Sequence, residues 1–443
     1  MLTQLRAVIV SGAYRSAPGI VGATTQSLAL SSMAEMLEQS LVDTGTRFEK
    51  FAVAIGSVLG HVNRVGPMID YIRGLLSRAE RKSVEPIAAL TNPEHTAAQH
   101  QSLLHFIGNS GWSDQDVLDI VYAHVLPILN SHGGTEVTII DDTGWKKKGV
   151  KTVGVARQYC GQTGKTDNCL VAVTLSSANH HCSVPIACRL YLPKEWAEDA
   201  KRRETAHVPK SVKFMTKPQI ALLQLRDALN RGIPLGTVLM DAGYGCNTKL
   251  RDAISEMKAP YVAGIHPHAT VWVNSAGIPW REDSTEERPA KRRQVRDVAV
   301  DLPIDAWKTI AWRQGSCELL ESTFARVRVH VAHGKRVRPE EWLLIEWPEG
   351  EDKPTRYWFS TMAKDVDFTD LVDTTKMRWR IERDYQEMKQ EVGFSHYEGR
   401  GWRGVHHHAT MSIAAYAFLV SERETIPPSG PGCARHFEKS KVS

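Results

Sequence analysis

Two aspartates each close an apolar run that reads as a buried strand. In VTIIDDTGWKKKG, Asp141 continues the face of Val137 and Ile139, while Asp142 points the other way. In TVLMDAGYGCN, Asp241 directly follows the strand, and Gly243 and Gly245 let the backbone turn tightly. A third acid, Glu382, lies in the helical stretch TTKMRWRIERDYQEMKQE, where spacings of four and seven residues put Arg378, Glu382 and Lys389 on one face. Carboxylates at the ends of rigid elements are what phosphodiester chemistry with two divalent cations needs, because the cations sit only ~3.5–4 Å apart. Each acid also has a plain structural reading. An Asp after a strand is a common turn or N-cap residue, and an Arg–Glu pair is ordinary on a solvated helix face.

The elements that must position these acids follow from the pattern. The 443-residue chain is long enough for two or three domains, with 42% hydrophobic and 24% charged residues. Residues 46–130 show helical periodicity: Phe48, Phe51, Ile55, Val58 and Leu59, then Ile69, Ile72, Leu75 and Leu76. After Gly133-Gly134 the period changes to two. Strands are predicted at 137–142, 152–159, 169–175, 237–240 and 261–265, with helices at 217–230 and 248–257. Six of the twelve Trp fall in 268–352, which reads as β-rich. A strand at 356–361 and helices at 374–391 and 405–422 follow.

Charge and cysteines bound the function. A net charge of +5 permits nucleic-acid binding, and the basic residues cluster. Residues 146–165 hold Lys146, Lys147, Lys148, Lys151, Arg157 and Lys165 with no acid. Further clusters are Lys201, Arg202, Arg203, Lys210, Lys213 and Lys217, and Arg288, Lys291, Arg292, Arg293 and Arg296. Seven cysteines without a CxxC pair indicate neither a zinc ribbon nor a disulfide framework. No apolar run spans a bilayer, so a membrane role is not expected. His406, His407 and His408 are adjacent and face different ways on a helix, so they are expected to meet DNA or pack rather than share a metal. Trp272 and Trp280 could stack on a base, but packing is the commoner role for a Trp.

Taken together these blocks resemble bacterial insertion-sequence transposases that carry a Tyr-Arg-Glu-Lys signature. Here the signature positions hold Thr375, Arg378, Glu382 and Lys389, with Thr375 in place of the Tyr. ERKSVEPIA, DDTGWKKKG, VGVARQYCGQTGKTDNC, VLMDAGYG and HYEGRGWRGVHHHATM occur in order and carry the resemblance over about residues 46–420. It implies an α/β fold: a ribonuclease H-like mixed sheet interrupted by a β-rich insertion, with an N-terminal all-helical domain. The implied layout is an extension at 1–45, a helical DNA-binding domain at 46–132, the core at 133–267 and 353–426, the insertion at 268–352 and a disordered tail at 427–443. It also implies a catalytic, metal-holding triad of Asp141, Asp241 and Glu382 with Mg²⁺ or Mn²⁺. DNA contacts are expected from Arg378, Lys389, Lys146, Lys147, Lys148 and Arg157. The implied partners are the element's terminal inverted repeats, target DNA and a second copy in a synaptic homodimer. The implied location is the bacterial cytoplasm, at the nucleoid. Three rival readings remain: a transposase-derived DNA-binding protein without activity, a nuclease that cannot join strands, and, more remotely, a two-carboxylate glycosidase.

Overall fold

A computed structural model of the chain describes residues 43–282, 288–314, 319–334 and 337–425. Most of the predicted extension and the predicted tail lie outside these residues. The contacts divide the chain into two compact units. One runs to Ile128 and takes in Glu387–Gly399 and Arg403 onward; the other comprises Leu129–Gln386 and Arg400–Trp402.

The first unit is helical. A helix over 43–58, α1, is followed by α2 (Val65–Leu76), α3 (Val84–Thr91), α4 (Thr96–Leu104) and α5 (Asp114–Ser131), whose last residues pass into the second unit. The long helix Trp402–Thr425 is buried along almost its whole length, as its Ala, Met, Ile and Phe run on every side requires. Three of its buried polar residues, Glu422, His407 and His408, have partners within the unit. Glu422 takes a two-pronged contact from Arg47, with both N···O distances 2.7 Å, and a bond from Thr44. His407 stacks on Trp112 with ring centroids 3.5 Å apart. His408 lies between the Tyr71 hydroxyl and the carbonyls of Gly393 and Phe394. Both histidines are packing residues.

The second unit is built on a ten-stranded mixed sheet. Its first strands are β1 (Val137–Lys146), β2 (Ala156–Cys160), β3 (Lys165–Ala178) and β4 (Ser183–Leu190). Then come β5 (Thr237–Met240), β6 (Tyr261–Ile265), β9 (Trp307–Gln314), β10 (Leu319–His330), β11 (Glu340–Trp347) and β12 (Arg356–Ser360). The order across the sheet is β2-β3-β1-β5-β6-β12-β11-β10-β9, with β4 also on β3. β1, β5 and β6 run parallel; the other pairings are antiparallel. β5 and β6 are buried at every position, which is why they read as unbroken apolar runs. β7 (Thr270–Val273) and β8 (Lys291–Gln294) form a separate two-stranded sheet, whereas β9, β10 and β11 extend the main one. Among the described residues no helix is long and apolar enough to cross a membrane.

Three sequence expectations change. β4 was not foreseen. The strand predicted from Thr152 begins at Ala156. The helix predicted over 374–391 is two helices, Phe368–Lys376 and Trp379–Glu391, separated by a turn at Met377 and Arg378. The first helix ends where the Met377 N–H bonds back to the carbonyls of Asp373 and Thr374, which closes the turn without a Gly or Pro.

Candidate active site

Strand register brings two of the acids together. β1 and β5 pair in parallel as far as Ile140 opposite Met240. Asp141 and Asp241 are the next residues on each, so the two stand at the same level on neighbouring strands, where β5 ends and β1 runs on. β1 continues along β3, where Asp141 lies opposite Thr174. β5 stops, and Asp241 caps the one-turn helix α9, Ala242–Gly245, its Oδ1 accepting the Tyr244 N–H at 3.2 Å. This tight turn needs glycine. A Cβ on Gly245 would stand 2.1 Å from the Gly264 carbonyl oxygen, and one on Gly264 would stand 2.9 Å from the Ala242 nitrogen.

Arg378 links the third acid to the first. Its Nη1 donates to Asp141 Oδ2 at 2.9 Å, and its Nη2 to Glu382 Oε1 at 2.6 Å. The predicted Arg378–Glu382 proximity is therefore present, although Arg378 sits in the turn before the helix. Lys389 lies two turns further along that helix, half-buried, among the residues of the first unit. Among the described residues no three acids, histidines or cysteines already stand as a metal-ligating cluster; here a guanidinium lies between two of the acids.

Burial raises the pKa of Asp141 to about 7, with Asp241 adding to the rise and Arg378 opposing it. Its side chain is only 15% exposed, against 60% for Glu382. One arginine thus faces two buried-strand acids and a third carboxylate, and the site is short of positive charge.

Asp142 faces elsewhere, as strand alternation requires. Its Oδ2 accepts from Lys217 Nζ at 3.0 Å and from the Tyr244 hydroxyl at 3.1 Å. Tyr244 therefore donates to Asp241 through its N–H and to Asp142 through its hydroxyl. Neither it nor Tyr385, whose hydroxyl meets Thr174 Oγ1 at 2.6 Å, was singled out from sequence. The only signal for Tyr244 was its place three residues after a capping Asp.

Residues 57–318, which include Asp141 and Asp241 but stop short of Glu382, match the family model of the DDE superfamily endonucleases. The chain belongs to that superfamily. It is also 26% identical over 325 residues to the probable transposase for insertion sequence element IS701 of Microchaete diplosiphon, which spans 73% of this chain and 74% of the relative.

The basic clusters of this DDE endonuclease differ in how far their charge is already engaged. On the β2–β3 hairpin and the loop before it, Lys148, Lys151, Arg157 and Lys165 are exposed, beside exposed Tyr159. Lys146 is exposed and ion-paired to Asp167 at 3.0 Å, and the Lys147 backbone is tied to Asn168. In the second cluster Arg203 donates to the carbonyls of Pro209 and Val212, and Arg202 lies over Trp196. Those two hold the local fold, while Lys201, Lys210 and Lys213 are exposed. In the third, Arg292 covers Trp272 and Arg293 pairs with Asp301 at 2.5 Å.

Proposed function

We propose that this endonuclease is a DNA transposase of the insertion-sequence kind, cutting at the ends of its element and joining the freed 3′-hydroxyl to target DNA. The observation that carries the reading is the placement of Asp141 and Asp241 at the same level on adjacent parallel strands, with Arg378 bound to both Asp141 and Glu382. The order of β2, β3, β1, β5 and β6, three antiparallel strands and then two parallel, supports a ribonuclease H-like core.

Asp141, Asp241 and Glu382 are the groups that would hold divalent cations. The donor set suits them: every candidate ligand is a hard carboxylate oxygen, which favours Mg²⁺ or Mn²⁺. The raised pKa of Asp141 marks a centre that gains from added positive charge. Two such cations, when bound, polarise a phosphodiester and activate water or a 3′-hydroxyl for in-line attack.

The chain's own residues prepare that chemistry. Asp241 is held rigid by the cap it makes, and Tyr244 ties its turn to β1 through Asp142. Asp141 sits where burial strengthens its electrostatic interactions. Glu382 is exposed, and its Arg378 contact is the one it must exchange to act as a ligand. The Arg378 guanidinium fits a phosphate as well as a carboxylate, and the hairpin lysines supply further backbone contacts. DNA is the substrate, and bringing two element ends together calls for a second copy of the chain.

The test is Mg²⁺-dependent cleavage of DNA carrying the element's ends, with wild type beside Glu382→Gln and Asp241→Asn. The proposal requires that both variants bind that DNA and fail to cut it. Variants that cut like wild type would remove the triad. A wild type that cuts but never joins strands would make this a purely hydrolytic nuclease.

A further inference from the structure

A cavity of about 220 Å³ opens at the far end of α9 from Asp241. Cys246, the residue that ends this one-turn helix, lines it, so the cavity begins about 7–8 Å from the Asp241 backbone at ~1.5 Å rise per residue. The walls also include Thr248, Arg251, His266, His268 and His333, and no acid.

The lining selects for an anion. Thr248 is the first residue of the nine-residue helix Thr248–Glu256, where backbone N–H groups have no partner within the helix. Asn247 caps only the Leu250 N–H. His266 and His268 stack with centroids 5.2 Å apart, on a turn fixed by the Ala269 N–H to the His266 carbonyl at 2.9 Å. The nearby acids have partners of their own: Arg338 donates to Asp252, which is also within electrostatic reach of His333, and the Tyr261 hydroxyl donates to Glu341 at 2.8 Å. These imidazoles are not placed as a metal site, since no three potential ligands converge among the described residues. A stacked base is also disfavoured, because the Arg251 guanidinium already lies over the Phe359 ring at 5.5 Å.

We propose that this cavity is a phosphate subsite for the DNA strand. It takes a backbone phosphodiester neighbouring the bond that is cut, through His266, His268, His333 and the Thr248 amide at the start of Thr248–Glu256. The proposal rests on the reading of Asp141, Asp241 and Glu382 as the nuclease centre, because that reading brings a strand past α9.

Binding is measured without divalent metal, so cleavage plays no part in the readout. Wild type and the triple variant His266→Gln/His268→Gln/His333→Gln are titrated with element-end DNA. The DNA is either intact or carries one uncharged methylphosphonate linkage, moved stepwise along the strand. In wild type one linkage close to the cut bond should lower affinity about tenfold, the scale of one hydrogen bond to a charged group. The triple variant should bind intact DNA about tenfold more weakly and become indifferent to that linkage alone. A variant that binds intact DNA like wild type, or keeps the wild-type linkage profile, overturns the subsite. The three histidines are exposed, so folding should survive; if the triple variant melts early, His333→Gln alone carries the same test. Inorganic phosphate provides the second arm. Histidine NMR shifts caused by free phosphate, with no linkage effect in DNA, would make the cavity a free-anion site and overturn its assignment to DNA. Asp241→Asn separates the two ideas: if it still cuts, the nuclease-centre reading fails, while the linkage profile reports on the cavity independently.

Discussion

Asp141→Asn should inactivate the enzyme and stabilise it. The folded chain holds the Asp141 proton up to a pKa of about 7, against 3.8 for the free side chain. The folded state therefore binds the proton more tightly than the unfolded state. Stability falls as pH rises from about 4 to about 7 and stays lowered above that. A rise of about three units corresponds to about 4 kcal/mol. The Asn substitution removes this cost; the raised pKa already carries the opposing Arg378 contact, and Arg378 keeps Glu382 and Asp241 as counter-charges. The gain at pH 8 is then up to about 4 kcal/mol, or on the order of 10 °C in melting temperature for a unit of this size. The assay is thermal unfolding of wild type and Asp141→Asn from pH 4 to pH 8 at fixed ionic strength. The gap should open with rising pH and close near pH 4. A variant that melts below wild type at pH 8, or curves that stay parallel across the range, would refute the account of Asp141 as a buried acid held against its preference.

Other outcomes follow from the same geometry. Gly245→Ala places a methyl 2.1 Å from the Gly264 carbonyl oxygen, so it should destabilise by at least about 1–3 kcal/mol and reduce cleavage by moving Asp241; chemical denaturation and a cleavage assay read the two effects. Tyr244→Phe removes the hydroxyl bond to Asp142 and should cost about 1 kcal/mol, while cleavage falls and affinity for DNA holds. Replacing Lys148, Arg157 and Lys165 with Ala should lower the slope of log affinity against log salt by about 2–3, near 0.9 per lost phosphate contact, without changing which DNA sequence is preferred.

The parts of the site that were legible share one property: their signals are local. TVLM followed by Asp reports a buried strand and its exit, and VTII reports the buried first half of β1, although that strand runs on past Asp141 and Asp142 to Lys146. Arg378 and Glu382 are four residues apart, and that spacing gave their contact even though the helix between them starts late. The unread parts are set by distance in sequence. Lys217 was grouped with a surface cluster, yet it pairs with Asp142, 75 residues away. β4 carries Pro185 and follows β3 through a short turn with no Gly. The register that levels Asp141 with Asp241 is a property of the parallel pairing, which neither strand encodes alone.

The sheet order also fixes when the site comes into being during synthesis. Glu382 follows Asp241 by 141 residues (382 − 241), and β9, β10, β11 and β12 are made in between. At ~5–20 residues per second, the ribosome delivers the third acid roughly 7–30 s after the second. During that interval the emerging chain already has its basic hairpin and two of its three acids, but not the complete proposed centre. A product truncated within β9–β11 would lack Glu382 and, with it, the buried helix Trp402–Thr425 on which the first unit packs, so the third acid and the completion of that unit arrive together.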